Sequence, residues 1–139
     1  MDAHRPHPIP TADTRPYWDA AREGRLSLPR CRDCGRILCP PKPACPTCRG
    51  TALDWVTLSG RARLKGWCRI HIAALPGHAP PLTVAEVTLE EDPSATLVAL
   101  DEAGVTEALP PDAPLAIAFA PDPNGWSFPV LRPAQGGPR

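Results

Sequence analysis

Four cysteines constrain this chain more than any other feature. Cys31 and Cys34 stand in CRDC, Cys45 and Cys48 in CPTC, with ten residues between the pairs. Two thiolates two residues apart can grip one metal from a single tight turn. A second such turn completes a tetrahedron of four sulfurs, the geometry Zn²⁺ accepts most readily. The spacing predicts a zinc ribbon over 26–52 with Cys31, Cys34, Cys45 and Cys48 as ligands. Four thiolates close the coordination shell, so the expected zinc is structural. Gly35 follows the second cysteine and is expected at φ > 0, with Gly50 doing similar work after the fourth. Cys39 lacks a partner at the two-residue spacing and reads as a free buried thiol.

The rest of the 139-residue chain is short of helix formers. It holds 21 prolines, about three times the usual share, which favours short strands and turns. No apolar run is long enough for a membrane helix. The first residues, MDAHRPHPIPTADT, have no apolar h-region, so export is not expected. The expected setting is cytoplasmic and reducing, where cysteines bind metal rather than pair. Charge is uneven: residues 1–72 carry 13 Lys/Arg against 6 Asp/Glu, a net +7, and residues 73–139 carry 2 against 9, a net −7. The first half is expected to attract anions.

Along the chain, residues 1–13 read as a flexible arm. A short helix is expected over 14–25, with Thr14 as N-cap, Pro16 in the first turn and Gly24 closing it. Its apolar side, Tyr17, Trp18 and Ala21, must dock on its own domain or on a partner. From residue 53 the pattern becomes strands: 53–58, then a long alternation over 61–74, then 82–89, 95–100, 115–120 and 126–131. Asn124-Gly125 marks a hairpin. The alternation places Ala62, Leu64, Gly66, Cys68, Ile70 and Ile72 on an inward face and Arg61, Arg63, Lys65, Trp67, Arg69 and His71 on the other. Gly66 is expected to allow a bend or bulge. These strands suggest a small barrel domain over 53–134, and 135–139 reads as a tail.

Arg63, Lys65, Trp67, Arg69 and His71 form the candidate binding face. Cations beside an exposed indole suit phosphates and a planar base, as offered by nucleic acids or by coenzyme A. The alternative is a solvated face with snorkelling side chains. There is no GxSxG, P-loop, GxGxxG or HExxH. His4 and His7 fall in the arm and His78 in a Pro-rich loop, while His71 has no adjacent carboxylate or cysteine. Cys68, on the inward face, is expected to be a buried, inert thiol. No residue is assigned a catalytic role.

PYWDA, CRDCGRILCPPKPACPTC, LDWVTLSGRARLKGWCRIHI and FPVLRP, in this order over roughly 14–134, resemble the DUF35 family. The resemblance implies a mainly β fold: a short N-terminal helix, a rubredoxin-like zinc ribbon and a C-terminal five-stranded OB-fold barrel. It implies a non-catalytic accessory subunit that docks on a thiolase-like partner of the acetyl-CoA acyltransferase or retro-aldolase kind and helps form the site for coenzyme A or acyl-CoA. The runner-up reading is a single-stranded nucleic-acid-binding ribbon/OB module.

Overall fold

The computed structural model describes residues 5–134; His4, the start of the arm and the tail at 135–139 lie outside the described residues. In chain order the elements are α1 (Arg15–Arg22), β1 (Leu26–Cys31), β2 (Leu53–Leu58), β3 (Arg61–Ile70), β4 (Leu82–Leu89), β5 (Asp92–Leu100), a 3₁₀ turn (Val105–Ala108), β6 (Pro114–Pro121) and β7 (Ser127–Pro133). β1 and β2 make a two-stranded antiparallel sheet with the ribbon loops between them. The other five strands form one antiparallel sheet in the order β5-β4-β3-β6-β7. β5 also meets β7, so the sheet curls into the expected OB-like barrel.

Helix α1 is stopped as the sequence predicts. Gly24 takes φ +78°, its N–H donates to the Ala21 carbonyl at 3.0 Å, and Arg25 N–H reaches back to Ala20 at 2.9 Å, a Schellman closure. The start differs. Thr14 occupies the N-cap, but its hydroxyl makes no cap and instead accepts the N–H of Thr11 at 2.9 Å. The apolar side docks on the chain's own barrel. Tyr17 packs edge-on to Phe119 at 6.1 Å, and Trp18 meets Trp126 at 6.2 Å and Phe128 at 5.8 Å. Residues 5–13, read as flexible, lie along this aromatic ladder: Arg5 covers the Phe128 ring at 3.8 Å, and His7 faces Trp126 at 6.3 Å.

One core joins helix, ribbon hairpin and barrel: Tyr17, Leu28, Ile37, Leu64, Val87, Leu97 and Leu115 all belong to it. In β3 the predicted alternation holds only to Leu64. Leu64 pairs with Val87 and Gly66 with Glu86, which leaves Lys65 without a partner on β4. This is a bulge beside the expected Gly66. A one-residue slip sends every later side chain to the opposite face. Trp67 now pairs with buried Ala85, and Arg69 with buried Thr83, while Gly66 and Cys68 turn outward and Ile70, beside buried Leu82, is half-buried at the strand end. The inward assignment of Gly66 and Cys68 is therefore corrected, and Cys68 is an exposed thiol. The strand ends at Ile70, and Ile72 is exposed in the loop beyond.

The 3₁₀ turn is fastened to the mouth of the barrel by two carboxylates. Buried Asp101 accepts Val105 N–H at 3.0 Å, Thr106 N–H at 2.8 Å and the Thr106 hydroxyl at 2.6 Å. Glu107 accepts from Arg69 and from the Thr83 hydroxyl. The Arg69 guanidinium, then Thr83, holds the Glu107 carboxyl down to about 2. A depressed carboxylate contributes stability above its unfolded value and loses it as pH falls through the folded one. Urea unfolding is therefore expected to show Glu107→Gln less stable than the parent at pH 7, with the gap closing between about pH 5 and 2. Leu28 is fully buried, and Leu28→Ala is expected to cost about 3 kcal/mol in the same assay.

Candidate metal centre and the bulged basic strand

Cys31 ends β1, and the chain folds back on itself at once. Cys31 N–H donates to the Arg36 carbonyl at 2.8 Å and Gly35 N–H to the Cys31 carbonyl at 2.8 Å, with Gly35 at φ +80°. The second knuckle repeats these bonds: Cys45 N–H to Gly50 at 2.9 Å and Arg49 N–H to Cys45 at 2.8 Å. Here the left-handed position belongs to Arg49, φ +65°, and not to Gly50. The expected role of Gly50 is corrected accordingly. Gly50 lies close under two side chains: a Cβ there would stand 2.6 Å from an Asp33 carboxylate oxygen, which would have to swing away, and 3.2 Å from the Cys48 sulfur.

The two knuckles bring the four predicted sulfurs within 4.8 Å of one another. Cys31 and Cys48 approach to 3.5 Å, as do Cys34 and Cys45. A tetrahedral Zn²⁺ with bonds of about 2.3 Å sets its sulfurs about 3.8 Å apart, so the cluster fits the ion. Cys31 and Cys45 are buried and Cys34 and Cys48 exposed. Backbone N–H groups, first that of Cys48, draw the Cys45 thiol down to about 6. At Cys48 the N–H of Gly50 favours the thiolate, but the neighbouring sulfurs outweigh it and push the thiol up to about 12. Four adjacent sulfurs repel a full set of charges, and a dication removes that conflict. Cys39 stands outside the cluster, half-buried against the barrel core, and burial pushes its thiol up to about 11.

Two consecutive residues connect this centre to the barrel. Leu38 packs on Cys31 and Cys45, while Ile37 enters the barrel core. The Ile37 N–H donates to Asp92 at the start of β5, 2.9 Å away. Sequence reading missed Asp92, because its partner lies 55 residues away.

The candidate binding face is divided by the bulge. Arg61 and Arg63 lie on the outer wall, and Lys65 in the bulge reaches Glu86 at 3.8 Å. Trp67 and Arg69 turn to the mouth, with the Arg69 guanidinium 5.4 Å from the Trp67 ring. His71 is exposed beyond the strand end. The cations are also partnered: Arg61 meets Glu90 at 3.4 Å, Arg63 meets Asp112 at 4.0 Å, and Arg69 pairs with Glu107. His78 reaches Glu102 at 3.0 Å and the Pro76 carbonyl at 3.2 Å, which anchors the β3–β4 loop. Among the described residues no helix is long and apolar enough to cross a membrane.

Comparison with known proteins agrees with this geometry. Residues 18–54 match the family model described as ChsH2, rubredoxin-like zinc ribbon domain. The chain is 28% identical over 133 residues to a probable enoyl-CoA hydratase alpha subunit of Thermomonospora curvata, covering 95% of this chain and 41% of that protein. It is 31% identical over 84 residues to the 3-oxo-4,17-pregnadiene-20-carboxyl-CoA hydratase alpha subunit of Mycobacterium tuberculosis, covering 60% and 27%. It thus spans less than half the length of these curated relatives. Among solved structures, a chain of the Ltp2-ChsH2(DUF35) aldolase is 27% identical with a TM-score of 0.77, covering 91% of this chain and 98% of that one. A DUF35 protein of unknown function from Sulfolobus solfataricus, 18% identical over 71% and 75% of the two chains with a TM-score of 0.52, shares the fold.

The metal assignment is checked by zinc analysis. The parent and Cys39→Ser are expected to retain about one zinc per chain. Cys48→Ser is expected to lose it, and chelation should lower the melting temperature of the barrel as well, because adjacent Ile37 and Leu38 pack in the barrel core and on the sulfur cluster.

Proposed function

For a DUF35-family chain with a ChsH2-type zinc ribbon, we propose the role of a non-catalytic accessory subunit of a thiolase-fold acyl-CoA enzyme, an acyltransferase, thiolase or retro-aldolase. The observation that carries this reading is the near end-to-end correspondence with one chain of a two-component aldolase. The site chemistry supports it. The sulfur cluster is saturated by its own four thiolates and offers a substrate no coordination position. Cys68 and His71 lie at odd separation, on the outer wall and past the strand end, and His78 is engaged by Glu102. No nucleophile–base pair is assembled among these groups.

In this reading zinc supplies rigidity alone. Cys31, Cys34, Cys45 and Cys48 hold two loops in one shape, and the ribbon and barrel present that shape to the partner. Arg61, Arg63 and Lys65 stand in exposed ion pairs, each contributing little, so a more highly charged phosphate can displace the carboxylate. Arg63 and Lys65 would meet coenzyme A phosphates along the wall. Trp67, Arg69 and His71 would meet them at the mouth, where an indole beside a guanidinium suits a planar adenine. The carbon–carbon or acyl-transfer step belongs to the partner.

The test is to mix the purified chain with the thiolase-fold protein encoded beside its gene. The two are expected to co-elute in size-exclusion chromatography. Turnover of an acyl-CoA substrate is expected to rise roughly tenfold or more over the partner alone, about 1.4 kcal/mol of barrier. Undiminished turnover by this chain in isolation would overturn the assignment.

A further inference from the structure

A cleft of about 490 Å³ opens between the β3–β4 loop, the turn after β5 and the β6–β7 hairpin. Its size falls within the range of small-molecule sites. The position is one at which OB barrels receive ligands, between the loops that follow the first and fourth barrel strands. Leu100, Ala120, Phe128, Val130 and Leu131 make an apolar floor. Gly77 and His78 form one wall and Asp122 to Asn124 the facing one.

Arg5 closes the third side. Its guanidinium lies 3.8 Å over the Phe128 ring, and burial lowers its readiness to carry charge. Among the described residues no carboxylate stands within ion-pair distance of it. Glu102 and Asp122 are near enough to favour its charge, though neither forms an ion pair with it and each has one oxygen engaged elsewhere. Glu102 holds His78 at 3.0 Å, and one Asp122 oxygen accepts Asn124 N–H at 3.0 Å and Trp126 N–H at 2.8 Å, closing the hairpin. Both oxygens of Asp101, also in the lining, are taken by the 3₁₀ turn. A part-desolvated guanidinium above an apolar floor is best satisfied by an anion that brings its own hydrocarbon.

We infer that this cleft binds an amphipathic monoanion: a carboxylate that meets Arg5 and carries an apolar body over Phe128 and Leu131. The inference does not rest on the partner reading, since it uses only this chain's own walls.

The test is a heteronuclear NMR titration of the full chain with sodium octanoate and, separately, with 1-octanol. Octanoate is expected to shift the amides of Arg5, His78 and Phe128 saturably, and octanol to bind roughly tenfold more weakly, the usual contribution of one charge-assisted hydrogen bond. Arg5→Met keeps the apolar stem and lies outside every strand; it is expected to make the two affinities equal. Ala120→Trp, which fills the floor, is expected to abolish both. Octanol binding as tightly as octanoate, an unchanged ratio in Arg5→Met, or no saturable shift at these amides would overturn the inference.

Discussion

The ribbon has almost no hydrophobic interior of its own. Its buried cluster is Cys31, Leu38 and Cys45, with Leu53 alongside, and two of the three buried members belong to the four-sulfur cluster. A unit this small requires an external staple, and four converging thiolates provide the place for one. What gives the staple wider reach is the step from Ile37 to Leu38. Adjacent residues face opposite ways, so one lies on the metal side and the other in the barrel. The Asp92 carboxylate, which burial raises but the Ile37 N–H and the hydroxyl and N–H of Ser94 lower overall, fixes that step. Order at the sulfur cluster is thereby transmitted to the start of β5.

Folding also redistributes the charge imbalance seen along the chain. The cations of β3 come from the positive half, and their partners Glu86, Glu90, Glu107 and Asp112 come from the negative half. The two halves neutralise each other across the barrel wall instead of presenting one positive and one negative flank. That is why a simple basic stripe, as a single-stranded nucleic acid would need, does not survive folding. Ligand recognition on this strand has to proceed by exchange of exposed pairs.

What could be read from the linear chain was whatever depends on neighbours in sequence. The convergence of the four cysteines, the Gly24 and Gly35 turns, the 53–58 and 82–89 strands and the Asn124-Gly125 hairpin all rest on spacing or on the conformational freedom of one residue. What escaped depends on contacts distant in sequence. Gly66 signalled that β3 would deviate, but only the ladder with β4 decides that Lys65 is the residue left out. Arg49 takes the left-handed position although Gly50 follows it, and no local rule distinguishes the two. Asp92 stands among acidic turn residues in the sequence, and only the fold brings the Ile37 N–H to it.

The Lys65 bulge makes length changes in β3 unequal in their effect. Losing that one supernumerary residue would close the bulge while Gly66 still met Glu86 and Trp67 still met Ala85, so the strand beyond would keep its faces. A single residue inserted between Gly66 and Trp67, with no second bulge to absorb it, would instead exchange the two populations of side chains, throwing Trp67 and Arg69 outward and stripping Glu107 of its cation. Lineages carrying this fold should therefore tolerate loss of the residue at 65 far more readily than gain of one just after it.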